Sequence, residues 1–110
     1  MSKCCMDENR LAAEMVEEFC ALARIDAQSG REEDIANVAA AKLGSLGFEV
    51  IRDDAGKHFG GETGNVIGRL PGDKGRDPIL LCAHLDRVAP GNGIEPVVLE
   101  DRIVSSGDTV

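Results

Sequence analysis

The sequence predicts an α/β fold in which two N-terminal helices pack on a mixed sheet. Two stretches with helical periodicity come first, and shorter segments with strand character follow them. Residues 79–84 begin with consecutive apolar side chains, Ile79 to Ala83, which is the pattern of a strand buried on both faces. Helices followed by strands, with a doubly buried strand near the centre, indicate a layered α/β or α+β domain.

The first helix is predicted over residues 8–24 from an apolar stripe. The stripe recurs at spacings of four, four and three residues and consists of Leu11, Met15, Phe19 and Leu22. Val16, Cys20 and Ala23 widen it on one side. This pattern is typical of an amphipathic helix that packs one face on a core.

The second helix is predicted to follow a capping box. Ser29 and Glu32 have the spacing of that motif, and two acidic residues then fall in the first turn, where the helix dipole favours them. The apolar face comprises Ile35, Val38, Ala39, Leu43 and Leu46. Gly47 is placed to end the helix in a left-handed cap.

Strands are predicted from Phe48 and Val50, from residues 65–72, and from residues 79–84. The segment 53–64 between the first two is polar and rich in glycine, and therefore predicts a loop. Residues 93–106 predict one or two further strands with a turn near Glu100 and Asp101.

Composition excludes several classes of function. A chain of 110 residues is one domain at most, and its net charge of −8 argues against nucleic acid or anionic membrane as a partner. Three Phe with no Trp or Tyr leave no aromatic platform for base stacking. No apolar run approaches the roughly 20 residues of a membrane span.

The cysteine pattern favours reduced, non-catalytic thiols in a cytoplasmic protein. Cys4 and Cys5 are adjacent and match none of the usual zinc spacings. Cys20 and Cys82 fall in apolar patterns, where a free thiol behaves as a small hydrophobic group. The acidic N-terminus does not have the character of a signal peptide, so no oxidising compartment is expected.

His84 and Asp86 are the candidate functional pair. Both follow the apolar run, and side chains two residues apart in an extended segment point to the same side. A metal-binding imidazole usually has its second ring nitrogen held by a carboxylate or carbonyl, and Asp86 could provide that group. The pair could equally be a surface salt bridge or a helix cap. His58, in the glycine-rich loop, is expected to be a solvated side chain.

The chain resembles the peptidase T-like aminopeptidases, within the superfamily of di-zinc aminopeptidases, carboxypeptidases and aminoacylases. The resemblance is strongest in the sequence ILLCAHLDRVAPGNGIEPVV, where His-x-Asp ends an apolar run and Val-Ala-Pro-Gly follows. It extends through the sequence DRIVSSGDTV at residues 101–110, and also covers residues 19–50 and 60–72. Arg87 departs from the family, since many members carry Thr after the Asp.

The resemblance implies the N-terminal part of a three-layer di-zinc peptidase catalytic domain, spanning residues 1–110. It implies that His84 is a zinc ligand and that Asp86 is the associated catalytic carboxylate. The family's reaction is hydrolysis of short peptides from the free amino terminus by two zinc ions and a general base Glu. A homodimer through an inserted lid domain is a further implication.

The other ligands, the general base and the lid domain of the family would lie downstream of Val110. Asp108 falls before the expected position of the bridging Asp, so the chain as given is expected to be inactive. Two alternatives remain open: a carboxypeptidase or N-acyl amino acid deacylase of the same superfamily, and a non-catalytic binding module.

Overall fold

The computed structural model describes residues 7–108 and confirms the α/β class. The elements are helix α1 (Glu8–Ala23), helix α2 (Glu33–Ser45), strand β1 (Glu49–Arg52), a short 3-10 helix (Ala55–Phe59) and strands β2 (Val66–Arg69), β3 (Pro96–Val98) and β4 (Ile103–Ser105). None of the helices within residues 7–108 has the length and apolar character needed to cross a bilayer.

Helix α1 confirms the prediction from the apolar stripe. Asp7 caps its N-terminus, because the carboxylate accepts a hydrogen bond of 3.1 Å from the backbone N–H of Asn9. Cys20 is buried on the inner face. Met15 and Phe19 on the same stripe are 64% and 56% exposed, so much of this apolar face is uncovered in the chain as described.

Helix α2 is confirmed, but the predicted capping box is wrong. The N-cap position is Glu32, whose side chain makes no capping hydrogen bond. The hydroxyl of Ser29 donates instead to the carboxylate of Asp86, so it cannot serve the first turn of α2. At the other end Gly47 has a φ of +89°, as the left-handed cap requires.

Strands β1 and β2 form an antiparallel hairpin against which α2 packs. Glu49 pairs with Arg69 at one end of the register, and Arg52 pairs with Val66 at the other. A Cβ atom on Gly68 would lie 3.1 Å from side-chain atoms of Leu43 in α2 and of Phe48, the residue just before β1. Gly68 therefore allows the helix to approach the hairpin closely.

Strands β3 and β4 form a second antiparallel hairpin, with the predicted turn at Glu100 and Asp101. In the described residues the strands thus pair in two separate antiparallel sheets, not in one mixed sheet. Parallel pairing is limited to an isolated bridge between Gln28 and Arg87. The buried apolar side chains in the described residues include Cys20, Ala27, Ile35 and Ala36, from both helices and the segment between them, and Pro96 at the start of β3.

The predicted strand at residues 79–84 is not formed in the part of the chain that the structure describes. Ile79, Leu80 and Leu81 are 88%, 88% and 89% exposed, and Cys82 is exposed as well. A strand exists only where a neighbouring backbone accepts and donates its hydrogen bonds, and no described segment lies alongside this one. The apolar pattern is real, but the burial expected from it is absent from the described chain.

Candidate functional site

His84 and Asp86 are in direct contact. The ring nitrogen Nδ1 of His84 lies 2.7 Å from the backbone carbonyl oxygen of Asp86 and 3.1 Å from its Oδ1. Because both partners are acceptors, Nδ1 carries a proton, and in the neutral imidazole the lone pair is therefore on Nε2. The His84 side chain is 84% exposed, so Nε2 is accessible. This arrangement is the one that metal-ligating histidines usually adopt.

Asp86 is held on its other side by Ser29. The hydroxyl of Ser29 donates to Oδ2, while Oδ1 faces His84. The bond from Ser29 is the main cause that lowers the pKa of Asp86, and His84 lowers it further against a partial desolvation that acts in the opposite direction. The carboxylate is therefore ionised at neutral pH and can stabilise a cationic neighbour.

Arg87 attaches this segment to the end of α1. Its guanidinium donates to the backbone carbonyls of Ala23 at 2.7 Å and Leu22 at 3.3 Å, and also to that of Ile25. The last turn of α1 has no basic residue of its own. Arg87 thus places a cation, from a distant part of the sequence, at the helix C-terminus, where the helix dipole favours one.

Backbone hydrogen bonds attach the same segment to the connection between α1 and α2. The N–H of Arg87 donates to the carbonyl of Ala27 at 2.9 Å, next to the parallel bridge between Arg87 and Gln28. Farther along, the N–H of Gly93 donates to the carboxylate of Asp26 at 2.7 Å. The segment after His84 is therefore fixed on the connection between α1 and α2 at several points.

The glycine-rich loop packs on the same connection. The N–H of Glu62 donates to the carbonyl of Gly30 at 3.2 Å, and the Glu62 carboxylate pairs with Arg31 at 2.7 Å. Asp53 holds the two ends of the loop together, accepting bonds of 2.8 Å and 2.7 Å from the side chain and backbone of Asn65. These bonds, with one from the backbone of Ala55, lower the pKa of Asp53.

Other residues with potential chemistry are not gathered near the pair. His58 is exposed on the short 3-10 helix, as expected for a solvated side chain. Cys20 and Cys82 are free thiols, and Cys4 and Cys5 lie outside the described residues. Over residues 7–108 no group of three or more His, Cys, Asp or Glu side chains is placed to hold a metal ion.

An open apolar groove lies beside the pair. Its walls come from the C-terminal half of α1, from α2 and from the β3–β4 hairpin, and include Phe19, Leu22, Ile35, Leu85, Ile94 and Ile103. Leu85 is the residue between His84 and Asp86, so the groove and the pair lie on different sides of the same segment. The apolar lining named here offers no ligand for a metal ion.

Sequence reasoning found the His84 and Asp86 pair but missed what holds it. The spacing of Ser29 and Glu32 predicts a helix cap, and Arg87 stands out in the sequence only as a departure from the family pattern. Both act on partners more than fifty residues away, since Ser29 and Asp86 are separated by 57 positions. No local spacing signals such contacts.

The comparisons with known proteins confirm the resemblance to peptidase T-like aminopeptidases. The chain superposes on the crystal structure of aminopeptidase PepT from Bacillus cereus with a TM-score of 0.82 and 40% sequence identity. It superposes on a tripeptidase from Staphylococcus aureus with a TM-score of 0.81 and 29% identity. It is also 38% identical over 96 residues to a Bacillus subtilis protein described as "Uncharacterized protein YqjE".

These relatives are much longer than the chain. Each match covers 86% or 87% of the chain but only 26% of the relative. No family model matches the sequence.

Proposed function

We propose that residues 1–110 are the N-terminal part of the catalytic domain of a zinc-dependent aminopeptidase, which hydrolyses short peptides from their free amino terminus. One observation carries the proposal: the imidazole of His84 is held at Nδ1 by Asp86 and exposes Nε2. Support also comes from the TM-scores of 0.82 and 0.81 against an aminopeptidase and a tripeptidase.

His84 would supply one nitrogen ligand to zinc. A zinc ion held there would supply Lewis-acid chemistry, polarising the scissile carbonyl and activating a water molecule as the nucleophile. Asp86 keeps the imidazole in the Nδ1-protonated form and in a fixed ring orientation, and its negative charge makes the ring a better electron donor. The Nε2 lone pair then points to solvent, where a metal could bind.

The described residues contribute only part of such a site. A catalytic zinc usually takes about three protein ligands and leaves an open position for water, whereas residues 7–108 offer at this place one imidazole with its carboxylate. The remaining ligands, the general base and an inserted lid domain that mediates a homodimer belong to further parts of the proposed enzyme. The isolated chain is therefore proposed to be inactive.

The proposed enzyme is cytoplasmic. Cys20 and Cys82, the cysteines that the structure describes, are free thiols, which fits a reducing compartment.

The test uses the complete protein that contains this chain, with His84→Ala, Asp86→Asn and the control His58→Ala. His84→Ala should lose zinc and most turnover, with little change in circular dichroism, because the side chain is exposed. Asp86→Asn should lower metal affinity by about 10- to 100-fold, with a larger loss in turnover. Zinc content by elemental analysis and hydrolysis of free tripeptides are the measurements.

The substrates also separate the alternatives. Cleavage of N-acetylated tripeptides, or release of the C-terminal residue first, would indicate a deacylase or a carboxypeptidase. Unchanged zinc and turnover in His84→Ala would refute the ligand assignment. A wild-type protein with no hydrolytic activity would favour a binding module.

A further inference from the structure

We infer that Ser29 is a positioning residue of this site: its hydroxyl fixes the carboxylate of Asp86 so that Oδ1 faces Nδ1 of His84. The inference rests on the proposed function for its meaning in catalysis, but the contacts themselves are independent of it. Ser29, Asp86 and His84 form a continuous hydrogen-bonded chain from the α1–α2 connection to the exposed imidazole.

The two oxygens of Asp86 have separate partners. Oδ2 accepts from Ser29, and Oδ1 lies 3.1 Å from Nδ1 of His84. The terminal torsion of an aspartate is broad, so a carboxylate with one partner can turn about its last bond. A second partner on the opposite oxygen removes that freedom. Ser29 therefore determines which way Asp86 presents its oxygens to the imidazole.

The residues on both sides of Ser29 are held in place by hydrogen bonds. Gln28 forms the bridge with Arg87, and its carbonyl accepts from the N–H of Arg31 at 2.8 Å. The N–H of Gly30 donates to the carboxylate of Glu32 at 2.7 Å. A hydroxyl on a fixed backbone is a rigid donor, which is what an orienting group needs.

The contact is not explained by the stability of α2 or of the fold. Helix α2 begins at Glu33 and takes no capping bond from Ser29. Ser29 is exposed, and the Asp86 side chain is 39% exposed, so water can replace the hydroxyl at little cost in folding free energy. The main effect of removing the Ser29 hydroxyl is therefore that the Asp86 carboxylate no longer has a fixed orientation.

The experiment compares Ser29→Ala, Ser29→Thr and Ser29→Cys in the complete protein. Ser45→Ala is the matched control, because Ser45 is also exposed and its hydroxyl makes one bond, to the carbonyl of Lys42 at 2.7 Å. Ser29→Ala should lower kcat about 10-fold, the lower end of the range for groups behind a metal ligand, with KM nearly unchanged. Ser29→Thr keeps a hydroxyl and should keep the wild-type kcat. Ser29→Cys has a weaker donor, and its kcat should lie between those of the wild type and Ser29→Ala.

Two further measurements do not depend on hydrolysis. Zinc affinity by chelator competition should fall in Ser29→Ala and recover in Ser29→Thr. Long-range ¹H–¹⁵N NMR of the metal-free protein, with His84→Ala to assign the ring signals, should show a shift of the Nδ1 signal of His84 between the wild type and Ser29→Ala that Ser29→Thr reverses. The Nδ1-protonated form itself should be kept, because the backbone carbonyl of Asp86 also accepts from Nδ1 at 2.7 Å.

The outcomes separate the inference from the proposed function. If the wild-type protein cleaves no peptide, the proposed function fails, and the Nδ1 signal of His84 alone decides the role of Ser29. The inference is overturned if Ser29→Ala keeps kcat, zinc affinity and the Nδ1 signal of the wild type. It is also overturned if Ser29→Thr is as impaired as Ser29→Ala, because the hydroxyl would then not be the cause.

Discussion

The uncovered apolar run Ile79–Leu81 should make the isolated 110-residue chain self-associate. The three side chains are 88%, 88% and 89% exposed, and burial of such a side chain contributes about 1.5 to 3 kcal/mol. Two chains that cover each other's run would bury six of them, for roughly 12 kcal/mol. Association costs about 4 to 6 kcal/mol in lost translational and rotational freedom, at the lower end of the general range.

The difference of about 6 to 8 kcal/mol corresponds to a dissociation constant between roughly 1 and 50 μM. Unpaired backbone N–H and C=O groups along the same run can add strand pairing between chains. The double variant Ile79→Lys/Leu81→Lys places two charges on one side of the extended segment. Burying both charges is so costly that association should weaken by at least about 100-fold.

Sedimentation velocity and light scattering over about 1 to 100 μM would measure this, since the range spans the expected constant. Phe59→Lys is the control for added charge and lost apolar surface, because Phe59 is 90% exposed and belongs to the short 3-10 helix and not to the run. A wild-type chain that stays monomeric at the highest concentration would refute the reasoning. So would a Phe59→Lys variant that dissociates as fully as the double variant.

Two further predictions concern the contacts around the site. Arg87→Ala should lower the local unfolding free energy at the C-terminus of α1 by about 2 kcal/mol, because three backbone carbonyls lose a charged donor. Hydrogen exchange of that turn and of residues 84–87 would measure the change. Equal exchange rates in variant and wild type would contradict the prediction. Hydrogen bonds from Asn65 and the loop backbone lower the pKa of Asp53 below its ordinary 3.8. The ionised carboxylate therefore stabilises the folded loop fully at pH values above 3.8, and this stabilisation is lost as the pH falls through the lowered pKa of the folded state. Exchange of residues 53–65 should accelerate on acidification more in the wild type than in Asp53→Ala, and parallel acid profiles would disprove the role of Asp53.

The sequence predicted those elements whose evidence is local. Helix α1 follows from apolar spacings within one segment, and the left-handed Gly47 follows from the end of the second stripe. The turn between β3 and β4 falls where polar residues interrupt two apolar segments. In each case the residues that signal the structure are also the ones that form it.

The structural features that the sequence did not predict depend on residues that are distant in the sequence. Ser29 and Glu32 have the spacing of a capping box, but a carboxylate 57 positions away takes the hydroxyl. The run from Ile79 predicts a buried strand, yet burial depends on neighbouring segments, and the described residues provide none. Likewise, nothing near Arg87 in the sequence reveals that it binds the end of α1.

The long separation between the partners at the site also bears on how the chain reaches this arrangement. Closing the 57-residue loop between Ser29 and Asp86 costs about 3.6 kcal/mol of chain entropy by the logarithmic rule, before either contact contributes. The helices and both hairpins close much shorter loops, so we expect them to form first and the site to assemble last. The same logarithm makes the site insensitive to the length of the connection. All of residues 70–78 are exposed, and even a doubling of the loop would add only about 0.6 kcal/mol. Insertions in this stretch should therefore leave the contacts among Ser29, Asp86 and His84 intact. Related chains can differ in length here without losing the contact between His84 and Asp86.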